Sequence, residues 1–144
     1  MKPVFQTSFG KGKGNCVTAC VASILEVPIE SLPEFCGGEG PEWFQRLAKY
    51  CEENDLFLLY WKHSAAVPII AMNAWVIIDM ELEGIDYENH AVVGRTRIKE
   101  RSKLPDGSES WEWETDIVHD PNQYRTPPYK QPAGYVMIGR QSLC

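Results

Sequence analysis

The sequence has no long apolar run, and this absence limits where the protein can work. No segment reaches the roughly 18 apolar residues that a membrane-spanning helix needs. Residues 1–14 contain no hydrophobic core of a secretory signal peptide. We therefore expect a cytoplasmic protein with no membrane partner.

Positive charge is also in short supply. The chain has 14 Lys and Arg residues against 20 Asp and Glu residues, which gives a net charge of −6. Nucleic-acid-binding proteins usually concentrate basic residues on one face, so the composition argues against a nucleic-acid partner. The glycine-rich run at 10–14 lacks the spacing of a P-loop and follows no clear strand, so it does not predict a nucleotide site.

The five cysteines form no recognisable disulfide framework, and in a reducing cytoplasm they are expected to be thiols. Cys20 and Cys51 fall in apolar helical patterns and are predicted to lie in the core. A metal site from Cys16, Cys20, His90 and His119 is disfavoured because no CxxC pair supports it. We expect neither a metal nor another cofactor.

What the sequence does have is the length and composition of one soluble domain, with 144 residues of which 44% are apolar. Apolar residues at helical spacing predict a helix from the N-cap Asn15 to Val27 and a second from Pro41 to Asn54. Five strands are predicted after them, over 56–61, 74–80, 90–98, 111–118 and 134–138. Helices followed by strands indicate an α+β domain over residues 1–144, with the N-terminal helix packed on an antiparallel sheet.

The third and fourth predicted strands read as a hairpin that turns at 105–108. Basic residues alternate on one strand and acidic residues on the other, as expected for charges that face each other across an antiparallel ladder. The alternating residues are Arg95, Arg97, Lys99 and Arg101 on the third strand and Glu112, Glu114 and Asp116 on the fourth.

Cys16 stands where a thiol can be activated. It follows Asn15 and is predicted in the first helical turn, where the helix dipole favours a thiolate. The glycines before it permit a tight turn and leave the sulfur approachable. The alternative is an unreactive, buried cysteine at the start of an amphipathic helix.

His90 and Asp120 are the candidate partners of Cys16. His90 opens the third strand, and a histidine at a strand mouth can pair with a thiolate elsewhere in the chain. Asp120 follows the fourth strand, so the hairpin brings it near His90, where a carboxylate orients an imidazole. Strict alternation places His119 rather than Asp120 on the His90 face. A bulge or the strand end must therefore re-aim Asp120, and His119 stays a possible participant.

Two further groups of polar residues are open to a functional and a structural interpretation. The Gln6 amide is a candidate oxyanion donor beside the backbone N–H of Cys16, although a single glutamine near an N-terminus is usually a surface residue. An acidic run before His90 is predicted to be a solvated loop, with selection of a basic substrate as the alternative. Its members are Asp79, Glu81, Glu83 and Asp86.

These motifs together resemble the papain-like cysteine peptidase superfamily, and most closely the peptidase domains that remove double-glycine leaders from bacteriocins. Residues 15–23 are similar to the nucleophile motif, 90–93 to the histidine motif, and Asp120-Pro121 to the Asp-Pro pair. The sequence departs from the family at Val17, where glycine is usual, and at Gln6, which lies farther from the cysteine. Residues 28–89 show no likeness.

The resemblance implies a papain-like fold with catalytic Cys16 and His90, an orienting Asp120 and an oxyanion donor at Gln6. The implied activity is that of a cysteine peptidase or amidohydrolase, which cleaves an amide or isopeptide bond in a peptide or protein through an acyl-enzyme. The same machinery serves deamidases, peptidoglycan amidases and acyl transferases. The alternative is a non-catalytic binding or inhibitory module on the same frame.

Overall fold

The computed structural model describes residues 1–9, 14–37, 42–64, 73–83, 89–123 and 129–140. The helices are α1 (Cys16–Leu25) and α2 (Trp43–Glu53), with a short 3-10 turn at Ile29–Ser31 between them. The strands are β1 (Leu56–Lys62), β2 (Trp75–Leu82), β3 (Asn89–Lys103), β4 (Glu109–His119) and β5 (Tyr129–Arg140). This order confirms the predicted α+β class.

The strands form one antiparallel sheet in the order β1-β5-β2-β3-β4. The last strand, β5, therefore lies inside the sheet between β1 and β2. Alternate residues of the central strands contribute to two apolar clusters, as the two-residue period of a strand requires. One cluster joins Ile77, Val93 and Val136 to α1 and α2, and the other contains Ile78, Val92 and Met137. The helices thus cover one face of the sheet, and α1 packs on β3 and β2.

Both helices are shorter than the sequence pattern predicts. α1 ends at Leu25 rather than Val27, because Glu26 adopts a left-handed conformation with φ 58°. The Glu26 carboxylate pairs with the amino group of Met1 at 2.6 Å. α2 begins at Trp43, and its proposed first residue, Pro41, lies outside the described residues.

The predicted hairpin of β3 and β4 is confirmed, together with the charge pairing that suggested it. Arg97 contacts both Glu114 and Asp116 at 2.8 Å, and Lys99 contacts Glu112 at 3.1 Å. These side chains are largely exposed, so their pairs are screened by water and contribute little to stability. Their main effect is to favour this register over a shifted one.

We expect Leu47→Ala to destabilise the protein by about 2–5 kcal/mol, the usual cost of truncating a fully buried leucine. Leu47 lies on α2 with 0% exposure, in the cluster that contains Phe35 and Ile77. Lys49→Ala is the matched control, because this side chain is 74% exposed and its ion pair with Glu53 is long, at 3.7 Å. Urea denaturation followed by tryptophan fluorescence measures both. Equal losses in the two variants would contradict this packing of α2.

Candidate active site

Cys16 is the first residue of α1, as predicted, and it is partly exposed. The role predicted for Asn15 was wrong in one respect, because its side chain makes no cap bond to the helix. The Asn15 Oδ1 instead accepts hydrogen bonds from the backbone N–H groups of Thr7 (3.0 Å) and Ser8 (3.1 Å). Asn15 therefore holds the N-terminal segment beside the start of α1, where it borders Cys16.

The start of β3 provides an open edge for the Cys16 sulfur. β4 pairs with β3 only as far as Val93, opposite His119, so residues 89–92 pair with β2 alone among the described strands. The backbone N–H of Ala91 and the side chain of His90 both hydrogen-bond the Cys16 sulfur there. The end of β4 thus creates the space in which helix and sheet bring Cys16 and His90 together.

His90 is held between Cys16 and Asp120. Its Nε2 lies 2.8 Å from Oδ1 of Asp120, which leaves Nδ1 as the ring nitrogen for Cys16. The predicted obstacle of strand alternation is removed by a register shift, because Val93 pairs with His119 whereas Gly94 pairs with Ile117. This bulge at the end of β4 turns the chain so that Asp120 reaches His90.

The Asp120 carboxylate is itself fixed on both oxygens. The backbone N–H of Asn122 donates to Oδ1 at 2.7 Å, and the Tyr129 hydroxyl donates to Oδ2. The Tyr129 ring also stacks on His90, with centroids 6.2 Å apart and planes 6° from parallel. Tyr129 therefore positions both the imidazole and the carboxylate that orients it.

The contacts of Cys16 favour its thiolate. The pKa of Cys16 lies well below its ordinary range, chiefly because the Cys36 thiol donates a hydrogen bond to the sulfur. Burial opposes this shift, while the hydrogen bonds from His90 and Ala91 and the positive charge of His90 add to it. A thiolate is the reactive form of cysteine, so these contacts favour the form of Cys16 that a nucleophile requires.

The contacts of His90 favour its protonated form. Burial lowers its pKa, but the hydrogen bonds to Asp120 and Cys16 and their negative charges outweigh burial and raise the pKa to about 9. Both pKa shifts therefore favour a Cys16 thiolate facing a His90 imidazolium over a neutral pair. This is the charge distribution that lets His90 donate a proton to a leaving group.

Gln6 is buried beside the site rather than on the surface, which contradicts the structural interpretation of this residue. It is 5% exposed, and its backbone N–H donates to the Pro121 carbonyl at 3.0 Å, directly after Asp120. Its Nε2 donates to the Ser8 carbonyl at 3.1 Å. The N-terminal segment thus brings Gln6 between the Asp120 turn and the start of α1, and its oxyanion role stays a prediction.

His119 lies in a different environment from His90. Its Nε2 donates to the Val4 carbonyl at 2.8 Å, and its ring contacts Phe5 edge to face at 5.1 Å. His119 therefore anchors the N-terminal segment to the end of β4. This contact explains how a segment at residues 4–6 is held next to the hairpin.

The prediction that the acidic run before His90 is a solvated loop is wrong for Asp79 and Glu81, because both lie in β2. Glu83 lies in an exposed turn, as predicted, and Asp86 lies outside the described residues. Asp79 stands opposite Ala91 in the β2–β3 register, so its carboxylate shares the face of the sheet on which Ala91 packs with α1. Burial raises the pKa of Asp79, and the nearby negative charge of Cys16 contributes to the rise.

Sequence reasoning missed three contributors to the site, namely Cys36, Tyr129 and the backbone N–H of Ala91. Cys36 is twenty positions from Cys16 in a loop, and no spacing rule links them. Tyr129 lies before the strand predicted at 134–138, because β5 starts earlier than its apolar pattern. The position of Ala91, directly after His90, was the one available signal.

No group of three or more His, Cys, Asp or Glu residues in the described part of the chain is arranged to hold a metal ion. Cys20, considered above as a metal ligand, is fully buried in the core, and Cys51 is 2% exposed. Within the described ranges, no helix is long and apolar enough to cross a bilayer.

The chain was compared with protein-family models, with curated proteins and with solved structures, and none of the three comparisons found a match.

Proposed function

We propose that the protein is a cysteine peptidase or amidohydrolase with a papain-like fold, which cleaves an amide or isopeptide bond in a peptide or protein substrate. The observation that carries this proposal is the contact of His90 with Cys16 on one side and with Asp120, at 2.8 Å, on the other. A nucleophile, an acid–base group and a carboxylate that orients it are thus in sequence from Cys16 through His90 to Asp120, which is the arrangement that nucleophilic catalysis requires.

The proposed reaction begins with attack of the Cys16 thiolate on the substrate carbonyl carbon. Protonated His90 then donates its proton to the leaving nitrogen, which leaves an acyl group on the sulfur. Neutral His90 next takes a proton from water, and the resulting attack releases the acid and restores the thiolate. Asp120 and Tyr129 hold the imidazole in one orientation through both steps.

The tetrahedral intermediate of this reaction needs hydrogen-bond donors for its oxyanion. The first backbone N–H groups of α1 have no partners inside the helix, and Cys16 itself contributes one of them. The buried side chain of Gln6 is the proposed second donor. For this role the side-chain amide of Gln6 would have to leave its hydrogen bond to the Ser8 carbonyl and turn toward the substrate oxygen.

The alternative function is a non-catalytic binding or inhibitory module that keeps a papain-like frame. The thiolate-favouring contacts of Cys16 support the catalytic proposal, because a purely structural cysteine needs no depressed pKa. The two functions therefore differ in a property that is measurable without a known substrate.

We expect iodoacetamide to alkylate Cys16 at least about 100-fold faster than the other described cysteines at about pH 6, because the thiolate is the reactive form and the contacts of Cys16 lower its pKa. Burial raises the pKa of Cys51 to about 11 and also raises that of Cys20. The hydrogen bond to Cys16 raises the pKa of Cys36. Mass spectrometry of tryptic peptides reads the rate at each position as a function of pH.

Cys16→Ser and His90→Ala complete this experiment. The serine variant should lose the fast phase, and the alanine variant should show a higher apparent pKa for Cys16. A Cys16 that reacts with the ordinary thiol pKa of roughly 8.5 would reject catalysis and favour the binding module. Screening a peptide library with wild type and Cys16→Ser would then identify the substrate of an active enzyme.

A further inference from the structure

Cys36 is fixed against the first turn of α1 by a hydrogen-bonded loop. The Thr18 hydroxyl donates to the Glu34 carboxylate at 3.0 Å and accepts from the backbone N–H of Phe35 at 3.3 Å. The same Glu34 oxygen accepts from the N–H of Cys36 at 3.1 Å. Thr18 is two residues after Cys16, so this loop is tied to the helix turn that carries the nucleophile.

The loop is also held by the apolar core and by α2. The Phe35 side chain is fully buried and packs edge to face on Tyr50 of α2, with centroids 5.5 Å apart. Arg46 of α2 donates to the carbonyl of Gly37. Residues on both sides of Cys36 are therefore anchored, and its sulfur has a defined position.

That position brings Cys36 beside Cys16, and both side chains pack against the same apolar cluster. The Cys36 thiol hydrogen-bonds the Cys16 sulfur, and the backbone N–H of Val17 points at the Cys36 sulfur. Both cysteines are partly exposed and neither is in a disulfide. Cys20 and Cys51, in contrast, lie in the core with at most 2% exposure. Within the described part of the chain, Cys16 and Cys36 are the pair that combines contact with access from solvent.

We propose that Cys16 and Cys36 are a site of reversible oxidation, at which a peroxide converts the catalytic thiolate into a Cys16–Cys36 disulfide and switches the enzyme off. This inference rests on the proposed function, since it concerns the regulation of the same nucleophile. It goes beyond the sequence motifs that suggested that function, because none of those motifs includes Cys36.

The chemistry of this switch balances with a peroxide as the oxidant. The Cys16 thiolate attacks the O–O bond of hydrogen peroxide, which yields Cys16 sulfenic acid and releases hydroxide. The Cys36 sulfur then attacks the sulfenic sulfur, so that the S–S bond forms as the S–O bond breaks and water leaves with the Cys36 proton. Cys16 loses two electrons and the peroxide gains them. A dithiol returns two electrons and restores both thiols.

The electrostatics of the pair give the two steps a fixed order. While Cys16 is a thiolate, its hydrogen bond and negative charge keep the pKa of Cys36 raised, so that Cys36 stays protonated and unreactive. A sulfenic acid is neutral, so oxidation of Cys16 removes both of these effects. The Val17 N–H, which favours the Cys36 thiolate, then remains, while burial and the charge of Glu34 still oppose it. Oxidation of Cys16 thus makes Cys36 easier to deprotonate.

The test treats the full chain with a small molar excess of hydrogen peroxide, blocks remaining thiols and maps linked peptides by mass spectrometry without reduction. Wild type should give a Cys16–Cys36 peptide pair, and dithiothreitol should restore iodoacetamide labelling of Cys16. In Cys36→Ser the oxidised Cys16 should proceed to sulfinic acid, with recovery of labelling at least about fivefold lower than in wild type. Cys144→Ser is the matched control and should behave as wild type.

Cys36→Ala serves as a second variant, and thermal unfolding of each variant reports whether it is folded. If neither folds, the peptide map of the wild type still decides. A wild type that accumulates Cys16 sulfinic acid with no linked peptide would overturn the switch, while rapid alkylation of the reduced protein would leave the proposed function standing. If reduced Cys16 reacts as an ordinary thiol, the proposed function fails and the regulatory proposal fails with it.

Discussion

Replacing His90 by alanine is expected to reduce hydrolysis through Cys16 by about 10²–10⁴-fold, the usual contribution of a positioned acid–base group. Two effects combine in this loss. The leaving nitrogen no longer receives a proton, and the Cys16 thiolate loses the imidazolium that helps to stabilise it. The hydrogen bonds from Cys36 and Ala91 remain, so a part of the thiolate should persist in the variant.

This effect is measured as kcat/KM on a peptide found by the library screen. His63→Ala is the matched control, because His63 is exposed and bonds the Tyr135 hydroxyl at 2.9 Å. His63→Ala should keep wild-type activity. A His90→Ala variant that is folded and retains activity within about threefold of wild type would exclude His90 as the acid–base group.

Asp120→Asn is expected to narrow the pH range of activity from its alkaline side. In the wild type the pair Cys16 thiolate and His90 imidazolium exists above the depressed pKa of Cys16 and below the pKa of His90, about 9. Asparagine removes the negative charge that raises the pKa of His90, while the burial that lowers this pKa remains. The alkaline limb should therefore move toward neutral pH by about one unit or more.

The pH dependence of kcat/KM gives the two limbs, and the ring protons of His90 followed by NMR give its pKa directly. Asp116→Asn is the matched control, since this carboxylate is exposed and pairs with Arg97 at 2.8 Å. It should leave both limbs in place. An alkaline limb that stays near 9 in Asp120→Asn would show that Asp120 does not set the charge state of His90.

The residues of the candidate site could be predicted from the sequence to a large extent. Cys16 at a helix start, His90 at a strand start and Asp120 after a hairpin each have a local signal that is independent of the rest of the chain. The charged alternation of β3 and β4 was sufficient to pair them, and the pairing brings position 90 near position 120. Local periodicity also determined the α+β class.

The rule of strict strand alternation, applied alone, placed the wrong residue of β4 on the face of the sheet that carries His90. It predicted that His119 would share a face with His90, whereas the register shift after Val93 brings Asp120 to His90 and directs His119 to Val4. This register shift occurs at Gly94, which packs closely on the neighbouring strand β2. A Cβ atom added at Gly94 would lie 2.4 Å from Cδ1 of Ile78. Periodicity within one strand carries no information on such a neighbour.

The sequence alone predicts the approximate positions of the helices and strands, because helical and strand periods, turn residues and charge alternation act over a few neighbouring positions. It also determined which residue types were available for a thiolate, an imidazole and a carboxylate. Which groups surround these residues depends on the packing of the folded chain. Cys36 meets Cys16 because Thr18, Glu34 and Phe35 tie a loop to α1, and Tyr129 meets His90 because β5 inserts beside β2. Contacts of this kind depend on how distant segments pack, so the sequence pattern around each residue could not reveal them.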